Sequence, residues 1–295
     1  MLYLEKFRIP DQNREEKLLD MDLETKRSCY GSKYPFCVFW KRELPTFEFE
    51  PITILCGGNG SGKTTLLNLM GEKLKLQRES VFNRSSFYEK YLKLCAAKIT
   101  PNFDRHAWAA SRVITSDDVF DSLLDLRSFN ENIDTDRRKL LAEYGEKRRS
   151  TMRFRSMEDL DELRKVVLAK KQKRPNVSLY VNGQLRRDVP GQSNGESAFA
   201  YFTRHIQEGG LYLLDEPENS LSAGLQQKLA AFLQDSARFY ACQFVIATHS
   251  PFLLSLRGAK IYDLDANPVS TCRWTEVETV RAFYDFFKAR EAEFE

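Results

Sequence analysis

The sequence has no long apolar segment, and this absence limits the classes of protein that it can encode. No run approaches the roughly 18 apolar residues that a membrane-spanning helix requires. The first residues also lack the charged region and apolar core of a secretory signal. We therefore expect a cytoplasmic protein with no membrane partner.

Metal-binding and disulfide patterns are also missing. The six cysteines occur without any CxxC pair, and histidine occurs only three times. Such spacing does not suit a zinc site or a disulfide framework, and it favours a reducing compartment.

Net charge is small, because 45 basic residues nearly balance 42 acidic ones and leave +3. Overall charge therefore does not indicate nucleic-acid binding, and any such surface must be local. One basic cluster does occur within charged helical sequence between Asp117 and Arg174. Two interpretations are open: a surface that binds the phosphates of a nucleic acid, and a solvated helix face. The cluster consists of Arg137, Arg138, Lys139, Lys147, Arg148, Arg149, Arg153 and Arg155.

Glycine is concentrated in the segment Cys56–Leu67, which reads CGGNGSGKTTLL. Its spacing satisfies GxxxxGK[ST], in which backbone N–H groups of a loop wrap the phosphates of a nucleotide. The lysine of this pattern reaches the β- and γ-phosphates, and the next hydroxyl binds Mg²⁺. The predicted nucleotide-binding residues are Gly57, Gly58, Asn59, Gly60, Ser61, Gly62, Lys63, Thr64 and Thr65.

The flanking sequence supports a P-loop. The apolar run Ile52–Cys56 is typical of a buried strand, and Thr65–Leu76 contains good helix formers and no proline. A strand, a glycine-rich loop and a helix in succession are the context that a P-loop requires.

A second apolar strand, Leu211–Asp215, ends in two adjacent carboxylates. At the end of a strand, the turn allows both Asp215 and Glu216 to project over the edge of the sheet. Asp215 is predicted to bind Mg²⁺ together with Thr64. Glu216 is predicted to accept a proton from the water that attacks the γ-phosphate.

Two further segments fit a phosphate site. SNGES (Ser193–Ser197) opens a helix whose N-terminus suits a phosphate, and IATHSP (Ile246–Pro251) places His249 beyond a buried strand. There an imidazole can hydrogen-bond a γ-phosphate. His106 and His205 are expected only to satisfy local hydrogen bonds.

Strands alternate with helices on both sides of the P-loop, which predicts an α/β fold with a largely parallel sheet. The chain is expected to form one domain, residues 1–295, with an inserted helical or variable segment over about residues 79–189. We also predict a helix near Ser85–Lys98, a strand over Ser111–Ser116, and a closing helix with a capping box at Thr275 and Glu278.

Together these motifs resemble those of the ABC-type ATPases. GGNGSGKTT is similar to Walker A, SNGES to a variant ABC signature, LYLLDEPE to Walker B with its catalytic glutamate, and THS to the switch histidine. DEPENSLS and ATHSPFLL resemble the soluble SMC and RecF-like branch, which includes stand-alone bacterial ATPases found beside nucleases in phage defence. The resemblance covers the two ends of the chain.

The resemblance implies an ABC ATPase head of the P-loop NTPase fold that uses ATP and Mg²⁺. It implies a homodimer in which ATP joins the P-loop of one copy to Ser193 and Gly195 of the other. The catalytic residues that it implies are Glu216, His249 and Lys63.

Some positions depart from the family pattern. Asn194 and Glu196 stand where the LSGGQ signature has glycine and glutamine. No Q-loop glutamine is evident, and Asp117 or Asp118 is the expected substitute. The candidates for stacking on adenine are Tyr30, Tyr34, Phe36 and Trp40.

We predict an ATP-gated homodimer that hydrolyses ATP to control DNA, RNA or a nuclease partner, in phage defence or DNA repair. No second cluster of acidic metal ligands follows His249, so a nuclease or other effector should be a separate chain. The alternatives are the motor subunit of a membrane transporter and an ATP sensor that does not hydrolyse. Glu216 argues against the sensor.

Overall fold

The computed structural model describes residues 1–21, 32–40, 42–149 and 193–294, without the side chains of residues 143–149. The chain divides into two compact units, one formed by Met1–Asp121 with Ser193–Glu295 and the other by Ser122–Gln192. Residues 79–121, which we placed in the inserted segment, fall within the first unit. The domain limits 1–295 and 79–189 remain predictions.

Nine strands are described in the first unit, and they form two sheets. They are β1 (Leu4–Arg8), β2 (Phe47–Glu48), β3 (Ile52–Cys56), β4 (Ala96–Ile99), β5 (Arg112–Thr115), β6 (Leu211–Asp215), β7 (Gln243–Ala247), β8 (Lys260–Asp263) and β9 (Ser270–Cys272). The small antiparallel sheet has the order β2-β1-β4, and the large sheet has the order β5-β6-β7-β3-β8-β9.

The large sheet is parallel except at its edge, where β9 runs antiparallel to β8. Ile246 of β7 pairs with Ile54 of β3 on one side and with Leu214 of β6 on the other. The carboxyl ends of these three strands therefore meet at one edge, where the predicted site residues follow. The predicted fold class, an α/β P-loop fold with a largely parallel sheet, is confirmed.

Helices alternate with the strands of this fold. They are α1 (Gln12–Met21), α2 (Lys63–Leu74), α3 (Tyr88–Leu94), α4 (Arg105–Ala110), α5 (Ser116–Arg149), α6 (Asn194–His205), α7 (Ala223–Phe239), α8 (Pro251–Leu254) and α9 (Glu278–Lys288). Short 3-10 helices cover Trp274–Glu276 and Glu291–Glu293. Within the described ranges, no helix combines the length and the hydrophobicity needed to cross a bilayer.

Every residue of β3, β6 and β7 is buried, which explains why these strands are almost entirely apolar. Such strands occur where helices cover both faces of a parallel sheet. Helix α2, in which Leu66, Leu69 and Met70 are fully buried, packs against β6 and β7, and α7 also packs on β7. The strand and helix that flank the glycine-rich loop are therefore both anchored in the core.

One buried amide joins the two sheets. The Gln243 side chain accepts hydrogen bonds from the backbone N–H groups of Tyr3 and Leu4 at 2.7 and 2.8 Å, and donates to the Leu4 carbonyl at 2.9 Å. With a fourth, longer bond from Gln243 Nε2 to the Glu50 carbonyl at 3.4 Å, the amide is satisfied in the interior, so β1 is fixed to the start of β7.

Two sequence predictions were wrong in detail. The helix expected over Ser85–Lys98 ends at Leu94, because Ala96–Ile99 pairs with β1 instead. The capping box expected at Thr275 and Glu278 is not formed, because Val277 is the N-cap of α9 and Thr275 lies in a 3-10 helix. In the first case pairing with β1, and in the second a 3-10 helix, replaced the helical structure that the local sequence favours.

Candidate functional site

The glycine-rich loop leaves the buried strand β3 and enters α2 through a tightly constrained glycine. Gly62 is the N-cap of α2, with a left-handed backbone at φ 93°, and a Cβ at this position would clash with the ring of Phe39. Only glycine meets both demands. The next residue, Lys63, is buried and donates from Nζ to the carbonyls of Gly57 at 2.8 Å and Gly58 at 3.1 Å.

The glycine-rich loop and the carboxyl end of β6 come close together. Thr64 and Lys63 lie near enough to the Asp215 carboxylate to lower its pKa. Asp215 is only 8% exposed, and its Oδ1 has no hydrogen-bond partner in the described part of the chain. Thr64 and Asp215, separated by about 150 positions in the sequence, therefore lie in one polar site. Their joint role in binding Mg²⁺ stays a prediction.

Burial is the main cause that raises the pKa of Asp215, to about 6. The nearby carboxylates of Glu216 and Glu218 raise this pKa further, while the Thr64 hydroxyl and the Lys63 ammonium oppose the rise. An ionised Asp215 is therefore short of positive charge in its surroundings. A bound cation would supply that charge.

Mg²⁺ fits this donor set. It prefers oxygen ligands and is commonly held by one or two protein oxygens together with substrate phosphates. The Thr64 hydroxyl and the unpartnered Asp215 Oδ1 are such oxygens. The described residues contain no group of three or more His, Cys, Asp or Glu side chains arranged to hold a metal.

Glu216 and His249 face each other beyond the ends of β6 and β7. The distance from His249 Nε2 to Glu216 Oε1 is 3.8 Å, and both side chains are about one-third exposed. Glu216 has φ 47°, an uncommon backbone conformation for a residue other than glycine. Its carboxylate accepts a hydrogen bond from Asn219 Nδ2 at 2.9 Å. Strained backbone of this kind is frequent where a side chain must be held for function.

The predicted signature residues lie at the start of α6. Ser193 is the N-cap, and it forms a capping box with Glu196: Ser193 Oγ accepts from Glu196 N, while Ser193 N and Oγ donate to Glu196 Oε2. These hydrogen bonds lower the pKa of Glu196. A Cβ at Gly195 would approach a methyl group of Leu225 at 2.7 Å. The hydrogen bonds of Ser193 are thus made within its own helix.

Several contacts at the loop were not predicted. The Asp265 carboxylate, just after β8, accepts a hydrogen bond from Gly58 N. Arg42 Nη2 lies 3.7 Å from Asp265 Oδ1, and Arg42 Nη1 donates to the carbonyls of Ser61 and Leu264. Arg42 and Asp265 therefore brace the loop from outside. No local motif marks them, because their contacts depend on the position of β8 beside β3.

The aromatic candidates differ in their environments. Tyr34 Oη donates to Thr65 Oγ1 at 3.2 Å, which places Tyr34 beside the last predicted nucleotide-binding residue. Phe36 is buried, and Trp40 Nε1 donates to the buried carboxylate of Glu15 at 2.6 Å. Tyr34 is therefore the aromatic candidate for which a contact with the loop is described. Tyr30 lies outside the described residues.

Asp117 and Asp118, the expected Q-loop substitutes, make no described contact with Asp215 or Glu216. Asp118 is buried and accepts hydrogen bonds from Ser80 N and Thr115 N, both at 2.6 Å, and from Thr115 Oγ1 at 2.9 Å. Asp117 is exposed at the start of α5. The three hydrogen bonds give Asp118 a structural role in fixing the start of that helix.

Histidines outside the site have local surroundings. His205 Nδ1 lies 2.8 Å from the Tyr201 carbonyl, one turn earlier in α6, and the two rings are in contact. His106 is exposed in α4. In the basic cluster, Arg137 pairs with Asp134 and Lys139 with Asp136 along the same helix. The side chains of Lys147, Arg148, Arg149, Arg153 and Arg155 lie outside the described residues.

The glycine-rich loop between β3 and α2, with the Asp215 carboxylate at the end of β6 beside it, defines the chain as a P-loop NTPase. A family model described as "AAA domain, putative AbiEii toxin, Type IV TA system" matches residues 99–255, just over half of the sequence. The chain belongs to this family. The matched range includes the predicted signature residues at the start of α6, the carboxylates Asp215 and Glu216, and His249.

Solved structures with limited similarity include an Smc head domain from Pyrococcus furiosus, with an extended coiled coil and bound to the C-terminal domain of ScpA. It is 12% identical, with a TM-score of 0.46, over 98% of this chain and 100% of that chain. The dimeric ATP-binding cassette MJ0796, in a post-hydrolysis state with ADP and Pi, is 18% identical, with a TM-score of 0.35, over 78% and 88%. No curated protein matches the sequence.

Proposed function

We propose that this chain binds ATP with Mg²⁺ and hydrolyses it in an ATP-gated homodimer in the cytoplasm. The observation that carries the proposal is the buried Asp215 Oδ1, which has no hydrogen-bond partner among the described residues and belongs to a carboxylate whose pKa the nearby Thr64 and Lys63 lower. The glycine-rich loop therefore lies beside a buried carboxylate whose charge a cation would balance. A glycine-rich turn with no ligand would have no need of such a carboxylate.

Each residue of the site has a defined task in this proposal. The loop N–H groups and Lys63 bind the β- and γ-phosphates, while Thr64 and Asp215 hold the metal. Bound Mg²⁺ supplies charge that neutralises the phosphate oxygens. Glu216 accepts a proton from the attacking water, and the His249 imidazole hydrogen-bonds the γ-phosphate.

The main test is ATP turnover by the purified chain and two variants. Lys63→Ala should abolish tight ATP binding measured by calorimetry, because the phosphates lose their buried ammonium partner. Glu216→Gln should retain binding and lower kcat by about 10²- to 10⁴-fold, the usual contribution of a general base. Glu208→Gln is the matched control, since it makes the same change at an exposed glutamate before β6.

Three outcomes would contradict parts of this assignment. Unchanged ATP affinity in Lys63→Ala would remove the loop from the binding site. Near-normal turnover in Glu216→Gln would exclude Glu216 as the base. Tight ATP binding by the wild type without any turnover would favour the sensor over the hydrolase.

A second copy should complete the ATP site through Ser193 and Gly195. This part of the proposal is supported by their position at a helix N-terminus, which suits a phosphate. Hydrolysis then requires dimerisation, and a mixture of Lys63→Ala and Gly195→Asp chains should regain part of the activity. One site of the mixed dimer has both defects, while the other has an intact loop and an intact signature.

The mixing experiment needs a control for strain. An aspartate at Gly195 would press on Leu225 in its own chain, whereas Gly224, at the start of α7, has open space around it. Gly224→Asp therefore introduces the same charge without the contact and should remain active. ATP-dependent crosslinking of the Glu216→Gln protein should accompany the assay. If it stays monomeric in ATP and mixing restores nothing, the dimer model is refuted.

The proposed partner is DNA, RNA or a separate nuclease or other effector chain, with a role in phage defence or DNA repair. The family description, which names a toxin of a toxin–antitoxin system, supports an effector function of this general kind. ATPase measurements with and without DNA or RNA, together with identification of copurifying proteins, would test the partner. A lack of stimulation by either nucleic acid would favour a protein partner.

A further inference from the structure

Glu218 lies three residues after Asp215, and its Oε1 atom accepts a hydrogen bond from each residue of the turn 248–250, which follows β7. Glu218 Oε1 accepts hydrogen bonds from Thr248 Oγ1 at 2.7 Å, from His249 N at 2.7 Å and from Ser250 N at 3.1 Å. The side chain is buried, with the residue only 9% exposed. Hydrogen bonds to a carboxylate are stronger than those to a neutral acceptor. Glu218 therefore fixes the backbone on both sides of the histidine.

The turn fixed in this way directs His249 at Glu216. His249 Nε2 lies 3.8 Å from Glu216 Oε1, and it is buried without a hydrogen-bond partner in the part of the chain that the structure describes. Glu216 is fixed independently, because its N–H donates to the Ala247 carbonyl at 2.9 Å and its Oε2 accepts from Asn219. Glu216 follows β6 and His249 follows β7, and the hydrogen bonds of Glu218 link the two segments that carry them.

Burial of the Glu218 carboxylate beside another acid has an electrostatic cost. Its Oε2 is buried without a hydrogen-bond partner among the described residues, and its charge lies near Asp215. The three hydrogen bonds to Oε1 offset this cost and fix the side chain against the turn 248–250.

We propose that Glu218 is a positioning residue that sets the His249 imidazole opposite Glu216 by holding the backbone of the turn 248–250. This inference rests on the proposed ATPase function. It adds a residue that acts through His249 and does not itself contact the substrate. Its loss should therefore lower turnover without weakening ATP binding, and its effect should depend on the presence of His249.

The test compares ATP hydrolysis by the wild type, Glu218→Ala, Glu218→Gln, His249→Ala and the Glu218→Ala/His249→Ala double variant. Glu218→Ala should lower kcat by about 10- to 10²-fold, the scale expected when a group moves by about 1 Å, with little change in KM. Glu218→Gln should recover most of kcat, because its amide oxygen can accept the same three hydrogen bonds. The double variant should be no slower than His249→Ala alone.

Glu15→Ala provides a matched control for the loss of a buried carboxylate. Glu15 also accepts three hydrogen bonds, but from Cys37, Trp40 and Tyr91, far in sequence from the turn 248–250. Its effect on kcat should multiply with that of His249→Ala, as expected for independent sites. If Glu218→Ala does not fold, Glu218→Asp replaces it, because shortening the side chain also withdraws the acceptor oxygen.

A measurement that needs no activity separates this inference from the proposed function. The chain has three histidines, so the ring signals of His249 can be assigned by NMR from their loss in His249→Ala. These signals should shift in Glu218→Ala and stay near their wild-type positions in Glu218→Gln. Unmoved signals in folded Glu218→Ala, or independent effects on kcat in the double variant, would overturn the positioning role. If the signals shift in Glu218→Ala while the wild type shows no ATP turnover, only the ATPase proposal is rejected.

Discussion

Replacing Glu15 is expected to destabilise the part of the first unit that lies against the P-loop. Glu15 is 1% exposed and accepts hydrogen bonds from Trp40 Nε1 at 2.6 Å, Tyr91 Oη at 3.0 Å and Cys37 N at 3.0 Å. Glu15→Ala leaves the Trp40 and Tyr91 donors without an acceptor, at about 1–3 kcal/mol each. Water can replace the acceptor at the exposed Cys37. Removal of a buried charge offsets part of this cost, so we expect a loss of about 2–4 kcal/mol.

Glu15→Gln separates the hydrogen bonds from the charge. The amide oxygen can accept from Trp40 and Cys37, and the amide nitrogen can donate to the Tyr91 hydroxyl, so the loss should stay below about 1 kcal/mol. Burial raises the pKa of Glu15 above its ordinary value of 4.5. Over part of this pH range the folded protein therefore holds a proton on Glu15 that the unfolded chain releases, and the contribution of Glu15 to stability falls as pH rises from about 4.5 through its folded pKa.

Urea unfolding of the three proteins between pH 4 and pH 8 measures both effects. The stability of Glu15→Gln relative to the wild type should increase with pH and then level off above the folded pKa of Glu15. A relative stability that does not vary with pH, or that falls as pH rises, would refute the assigned pKa shift. A loss below about 1 kcal/mol in Glu15→Ala would show that the three hydrogen bonds contribute little.

Two further predictions concern the P-loop and the basic cluster. Gly62→Ala should destabilise the protein by more than the roughly 1–2 kcal/mol of a left-handed alanine, because its methyl group also meets Phe39. Gly60→Ala, with φ 78° and open space around it, should show only the backbone cost, and equal losses in thermal unfolding would contradict this assignment. Changing Arg148, Arg149 and Arg153 to glutamate should weaken nucleic-acid binding and flatten its dependence on salt without changing ATP affinity. If the wild type binds no DNA or RNA in a salt-dependent way, with or without ATP, the cluster is a solvated helix face.

The sequence predicts the parts of the site that are encoded locally. The loop Gly57–Gly62 and the carboxylates after β6 can be recognised because phosphate binding and metal binding require particular residues at short, fixed spacings. The buried runs Ile52–Cys56 and Leu211–Asp215 predict their strands for the same reason, since a parallel sheet covered on both faces needs continuous apolar residues. The fold class and the central residues of the candidate site can therefore be predicted from these features.

Other features depend on contacts that no short window contains. Glu218, Arg42 and Asp265 acquire their partners only when β7 and β8 align beside β3. Strand β4 replaces part of a predicted helix because β1 offers it a paired edge. The capping box of Ser193 and Glu196 is different, since its S-x-x-E spacing is local and could have been read from the sequence.

The sheet order has a consequence for the order in which the protein can fold during synthesis. Strand β3, which leads into the glycine-rich loop, pairs with β7 and β8, whose residues follow it by about 190 to 210 positions. Contacts of such long sequence range form slowly, because a long stretch of chain must first be closed into a loop. Until the ribosome has released residues 243–263, the apolar segment Ile52–Cys56 has neither strand neighbour, and Gly58 lacks its Asp265 acceptor. The nascent chain therefore fixes the conformation of its glycine-rich loop only near the end of translation, and a truncation before β8 would lose that conformation even though the residues of the loop are all present.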